Sequence, residues 1–126
     1  MRCKNEKKRI FEKISNDLNI QLKYEYFIND KNSKFGIVFY DAIIKNTNIL
    51  LEYDGLGWHV VEGYEEHYIG HKFGISVQRA KRKDVRKNII ANKNNFTLLR
   101  IHGKMDYNNI LELIRNSINE YDNLSS

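Results

Sequence analysis

Residues 35–54 restrict this chain more than any other stretch. Two β-rich apolar runs, over 35–44 and 49–54, flank the polar tetrad Lys45-Asn46-Thr47-Asn48. Such a tetrad between β-branched and aromatic residues reads as a tight turn joining antiparallel strands. A loop of two or four residues sets Asp41 directly opposite Glu52, with Cβ atoms about 5 Å apart on one sheet face, whereas an odd loop slips the register. Asp54 follows on the same face by the period of two. Like charges facing each other in apolar strands destabilise a sheet unless positive charge stands between them, and a hard divalent cation is the partner carboxylate oxygens favour. The competing reading is a solvated edge hairpin with incidental acids. Against it stand Ile37, Val38, Phe39, Ile43, Ile44, Ile49, Leu50 and Leu51, which read as buried on both faces.

At 126 residues the chain is one domain, 1–126, large enough for a core but not for two. A single cysteine, Cys3, excludes an internal disulfide and a cysteine zinc cluster, which fits a reducing, intracellular compartment. No apolar stretch approaches the roughly 20 residues of a membrane span, and the charged start Met1-Arg-Cys-Lys-Asn-Glu-Lys-Lys8 is no signal peptide. The net charge of +5 favours an anionic partner. The absence of proline and the abundance of Asn, Lys and Ile suggest an AT-rich genome.

Around the hairpin, apolar Ile10, Phe11, Ile14 and Leu18 predict a helix over 5–18, and Gln21–Phe27 a first strand ending in a turn at Asn29–Ser33. The glycine-rich stretch Gly55–Ser76 reads as loop. Arg79–Asn94 reads as a helix, Phe96–Ile101 as a strand, and Asp106 as the N-cap of a last helix carrying Ile110, Leu113, Ile114 and Ile118 on one face. The order is α-β-β-β-loop-α-β-α, an α/β fold with a mixed sheet covered by helices.

Two further elements carry chemistry. After Glu52-Tyr53-Asp54, Gly55 and Gly57 let the backbone turn, and Trp58-His59 emerge beside the acids. Imidazole can take a proton from water near neutrality, so His59 is a candidate base. The run Arg79-Ala-Lys-Arg-Lys-Asp-Val-Arg-Lys87 holds six basic residues and one acid, Asp84. A solvated helix face is the ordinary meaning of such a run. An acid within it is either a local salt-bridge partner or a support for His59. His67 and His71, among Glu62, Glu65 and Glu66, read as loop residues.

Together these residues resemble the PD-(D/E)XK nuclease superfamily, whose core is α-β-β-β-α-β. The likeness is strongest to the branch of very short patch repair endonucleases and related phage and intron homing endonucleases, described by an EDxHD signature. The resemblance implies Asp41 and Glu52 as metal-binding acids, His59 as catalytic base after Trp58, Asp84 as the acid supporting it, and Glu6 as the leading glutamate, with Glu12 the weaker counterpart. Asp54 stands where the superfamily has lysine. Leu56 and Val61 stand near where the patch repair enzymes have zinc ligands, which favours the homing type over mismatch repair.

On that footing the expected activity is Mg²⁺-dependent cleavage or nicking of double-stranded DNA, with Mn²⁺ a substitute and Asp41 and Glu52 holding the ion. Trp58 would meet bases. Arg79, Lys81, Arg82, Lys83, Arg86 and Lys87 would track phosphates, with Lys72, Arg100 and Lys104 as weaker additions. A phage, viral or mobile-element origin is expected, as is a homodimer or a companion recognition segment. The rivals are a mismatch-nicking or restriction endonuclease, an RNA-processing nuclease or junction resolvase, and a catalytically inactive DNA-binding module.

Overall fold

Helix α1 (Arg2–Leu18) is built on Phe11 and Ile14, both wholly buried. It stops in a Schellman turn: Asn19 takes φ 53°, and the Ile20 N–H reaches back to the Ser15 carbonyl at 3.0 Å. The computed structural model describes residues 2–31, 36–54 and 74–125, with side chains over 6–31, 36–54 and 84–124. Strands β1 (Leu22–Asp30), β2 (Gly36–Ile44) and β3 (Ile49–Asp54) follow α1. Helix α2 (Gly74–Lys93), β4 (Thr97–His102) and α3 (Tyr107–Ser125) complete the order predicted from sequence. The sheet runs β1-β2-β3-β4, antiparallel at its first two junctions and parallel between β3 and β4. The molecule is therefore α/β, with a mixed four-stranded sheet and three helices.

Of the boundaries that differ from the sequence reading, two have a clear cause. Strand β1 runs on through Asn29 and Asp30, which pair with Ile37 and Gly36. Lys93 of α2, at 3.1 Å, supplies the counter-charge that lets Asp30 be buried there. Helix α2 begins at Gly74 rather than at Arg79, since neither proline nor a further glycine interrupts 75–78. At its other end Asn95 takes φ 66°, and Phe96 N–H donates to the Ala91 carbonyl at 2.8 Å, a second Schellman stop. Asp106 caps α3 as expected, accepting from the Asn109 N–H at 3.3 Å.

The turn at 45–48 has four residues, with Asn46 at φ 65° and Thr47 bonded to the Ile44 carbonyl through both N–H and Oγ1. It sets Ala42 opposite Leu51 and Ile43 opposite Leu50, the register the even loop requires.

Two apolar clusters lie on the sheet. One joins Phe11 and Ile14 of α1 and Ile110, Leu111 and Ile114 of α3 to Ala42, Ile44, Ile49, Leu51, Leu99 and Ile101. The other joins Ile90 and Ala91 of α2 to Ile28, Val38, Tyr40, Ile43 and Leu50. Strand β3 alternates between them regularly. Strand β2 does not: Val38 and Tyr40 belong to the α2 cluster, Ala42 and Ile44 to the other. The alternation inverts at Asp41. In β1 it inverts at the position opposite, since Leu22 packs with α1 and α3 while Tyr26 packs toward α2. Glu25, between paired Tyr24 and Tyr26, takes φ 53°. A non-glycine residue there costs on the order of 1 kcal/mol, so the strain sits directly beside the acid pair.

Candidate active site at the β2–β3 acid pair

At Asp41 and Glu52 the two side chains take the part of ladder hydrogen bonds. The Asp41 N–H donates to Glu52 Oε2 at 2.8 Å, and the Tyr53 N–H donates to Asp41 Oδ2 at 2.8 Å. Each acid thus satisfies a backbone donor of the other strand, which orders both carboxylates. Their remaining oxygens face ammonium groups. Lys7 Nζ of α1 lies 2.8 Å from Asp41 Oδ1, and Lys87 Nζ of α2 lies 2.7 Å from Glu52 Oε1. Two lysines, one from each helical layer, thus set positive charge against the acid pair.

Glu52 is 4% exposed, and burial, then the nearby Asp41 charge, push its carboxyl above the usual range against the pull of Lys87. Tyr40, also buried, donates its hydroxyl to the Lys87 carbonyl at 2.9 Å and so anchors the helix turn that carries the lysine. Burial, followed by the Glu52 charge, pushes the Tyr40 phenol up to about 12, which keeps it a neutral donor.

A second polar group adjoins the first. The parallel register sets Arg100 beside Glu52 and His102 beside Asp54. Arg100 Nη2 donates to the Asp84 carbonyl at 3.0 Å and to Asn88 Oδ1 at 3.1 Å, while Nη1 lies 3.3 Å from Asp84 Oδ1 and 3.9 Å from Asp54 Oδ1. Asp54 is 3% exposed, and its Oδ2 is 3.5 Å from His102 Nδ1.

The sequence-predicted residues divide accordingly. Asp41 and Glu52 are brought together. Asp84 pairs with Arg100 of β4 at 3.3 Å; Trp58, His59, Leu56, Val61, Lys72 and the 62–71 acids and histidines lie outside the described residues. Glu6 and Glu12 are exposed on α1. The residue that α1 sends to the acids is Lys7, in helical phase with Phe11, Ile14 and Leu18, whereas Glu6 is one position out of phase. Arg79, Lys81, Arg82 and Lys83 lie within α2, and Arg86 is half-buried. Lys87 turns onto Glu52 rather than outward, and Arg100 is held between acids, so neither is a free phosphate contact. Sequence reasoning missed Lys7 and His102, and read Arg100 as a phosphate contact rather than as the partner of Asp84 and Asp54. Helical phase could have found the first, and a parallel β3–β4 register the other two.

Among the described residues, no three His, Cys, Asp or Glu side chains gather closely enough to hold a metal ion, and no helix is long and apolar enough to cross a membrane. No protein family, curated protein or solved structure matches the chain.

Proposed function

We propose that this chain is a divalent-metal-dependent endonuclease of PD-(D/E)XK type, cutting or nicking duplex DNA, with Mg²⁺ as its ion and Mn²⁺ as a substitute. The observation that carries the reading is the ordered, opposed pair Asp41–Glu52 within an α-β-β-β-α-β succession of elements. Hard carboxylate oxygens fit such an ion, and those facing Lys7 and Lys87 are the donors available. The ion would neutralise phosphate charge and acidify a water.

The chain's own residues do the rest. Asp41 and Glu52 would orient that ligand field, and an imidazole near them would accept the water's proton. Lys7 and Lys87, released from the acids, would face phosphate oxygens. The basic stretch of α2 would follow the DNA backbone.

A specific observation favours a second reading. Lys7 and Lys87 already balance both acids, which is what a catalytically idle DNA-binding module of the same fold would retain. Incubation with supercoiled plasmid separates the two. The endonuclease relaxes or linearises it only with Mg²⁺ or Mn²⁺, and Asp41→Ala abolishes cleavage while leaving DNA binding intact. Absence of cleavage by the parent protein with either ion, on any DNA or RNA, leaves the binding module.

A further inference from the structure

Beyond the acid pair, one cluster unites an imidazole with a buried carboxylate. His102 ends β4, Asp54 ends β3, and the two are register partners at the carboxyl ends of adjacent parallel strands, where open α/β sheets place their ligands. Gly103 N–H donates to the Asp54 carbonyl at 3.2 Å, and the His102 carbonyl accepts from Met105 N–H at 3.1 Å, so the backbone around the pair is fixed. The His102 side chain is 31% exposed, yet its Nδ1 is buried 3.5 Å from Asp54 Oδ2 and makes no hydrogen bond. The ring therefore has a buried edge against a carboxylate and an open edge, the arrangement that lets a carboxylate fix the tautomer of a proton-accepting imidazole. Contacts of this kind are commonly long without substrate and tighten in the reacting complex. Arg100 on β4 and, through it, Asp84 on α2 are charged groups that also face the pair. Strand spacing puts the Cα of His102 roughly 8 Å from that of Glu52.

We infer that His102 is a proton-accepting residue of the candidate site, with Asp54 as its positioning residue. The inference rests on the endonuclease reading and names His102, in place of the His59 that the resemblance implies, as the imidazole that accepts the water's proton. In the step it serves, the oxygen of a water bonds to phosphorus as the ester P–O bond breaks. The water's proton passes to His102 Nε2 and on to solvent, and the leaving ester oxygen takes a proton from solvent.

The test uses the full chain with supercoiled plasmid and Mg²⁺, comparing the parent with His102→Ala, His102→Gln and Asp54→Asn across pH, with and without added imidazole. Thermal melts of each variant report folding. A general base contributes typically 10²–10⁴-fold, so both His102 variants should lose about that much. Imidazole should restore part of the activity of His102→Ala, and the acid limb of the pH–rate profile should vanish. Asp54→Asn should lose less and shift that limb. Cleavage by the parent with unchanged rates in the His102 variants overturns the inference and leaves the endonuclease intact. So does a loss that imidazole does not restore and that leaves the profile's shape unaltered, since that marks a structural role. A parent that cleaves nothing overturns the endonuclease reading and this inference with it.

Discussion

Replacing Lys87 by methionine removes one ammonium group and little volume, leaving Glu52 buried without its counter-ion. The pair is close, at 2.7 Å, with Glu52 almost wholly enclosed and the Lys87 side chain 26% exposed. A hydrogen bond to a charged group contributes about 1.5–3 kcal/mol, and breaking a fully buried pair costs about 3–5 kcal/mol. Partial exposure puts this pair at about 2–3 kcal/mol at pH 7, or roughly 10 °C in Tm for a chain of this length. The Tyr40 bond to the Lys87 carbonyl is made by backbone and survives the change.

The pH dependence fixes the cause. Because the Glu52 carboxyl is held above 4.5 in the folded state, its contribution to stability is fully present below that value and is lost as pH rises through the folded pKa. Without Lys87 the folded value climbs further, and the loss extends to higher pH. Lys87→Met should therefore cost less at pH 4 than at pH 7, because more of Glu52 is protonated at the lower pH. Urea unfolding at the two pH values measures the difference. Equal losses at both would refute the electrostatic account and point to helix packing; no loss at pH 7 would show that the ion pair contributes nothing. If Glu52 also ligates Mg²⁺, the ion should raise the Tm of Lys87→Met more than that of the parent, since the competing ammonium is gone.

The remaining predictions address other parts of the molecule. Asn95→Ala forces an alanine into the left-handed region at the end of α2 and should cost about 1 kcal/mol in urea unfolding, while Asn95→Gly should be near neutral. Arg82→Ala with Lys83→Ala should weaken DNA binding to all sequences alike and flatten its salt dependence, by titration at several ionic strengths. An unchanged salt slope would make that stretch of α2 a solvated face.

The sequence carried the element order because each element has its own signal: helical spacing at Phe11 and Ile14, an Asp106 cap, and a tetrad of turn residues at 45–48 whose length set the register across Asp41 and Glu52. Pairing between distant strands has no such local signal. Nothing in residues 97–102 alone announces that β4 lies parallel to β3 with His102 beside Asp54. The counter-ions were hidden for a related reason. Lys7 and Lys87 look like any solvent-facing lysines until the acids come within reach, 34 and 35 residues away along the chain. The inversion in β2 was equally illegible, because a run apolar at Val38, Phe39, Ile43 and Ile44 reads the same whether or not the faces exchange midway.

That inversion has a consequence for how the hairpin transmits disturbance. Tyr26, Ile28, Val38 and Tyr40 answer to α2, while Leu22, Ala42 and Ile44 answer to α1 and α3, with Ile43 the residue of that half that reaches the α2 cluster. The two halves of one hairpin thus belong for the most part to different cooperative neighbourhoods, joined where Glu25 faces Asp41. In native-state hydrogen exchange they can open with separate free energies. A cavity cut at Val38 would loosen amides on the α2 side, and one cut at Ile44 those on the other. The acid pair stands on the seam, so its geometry holds only while both neighbourhoods are closed.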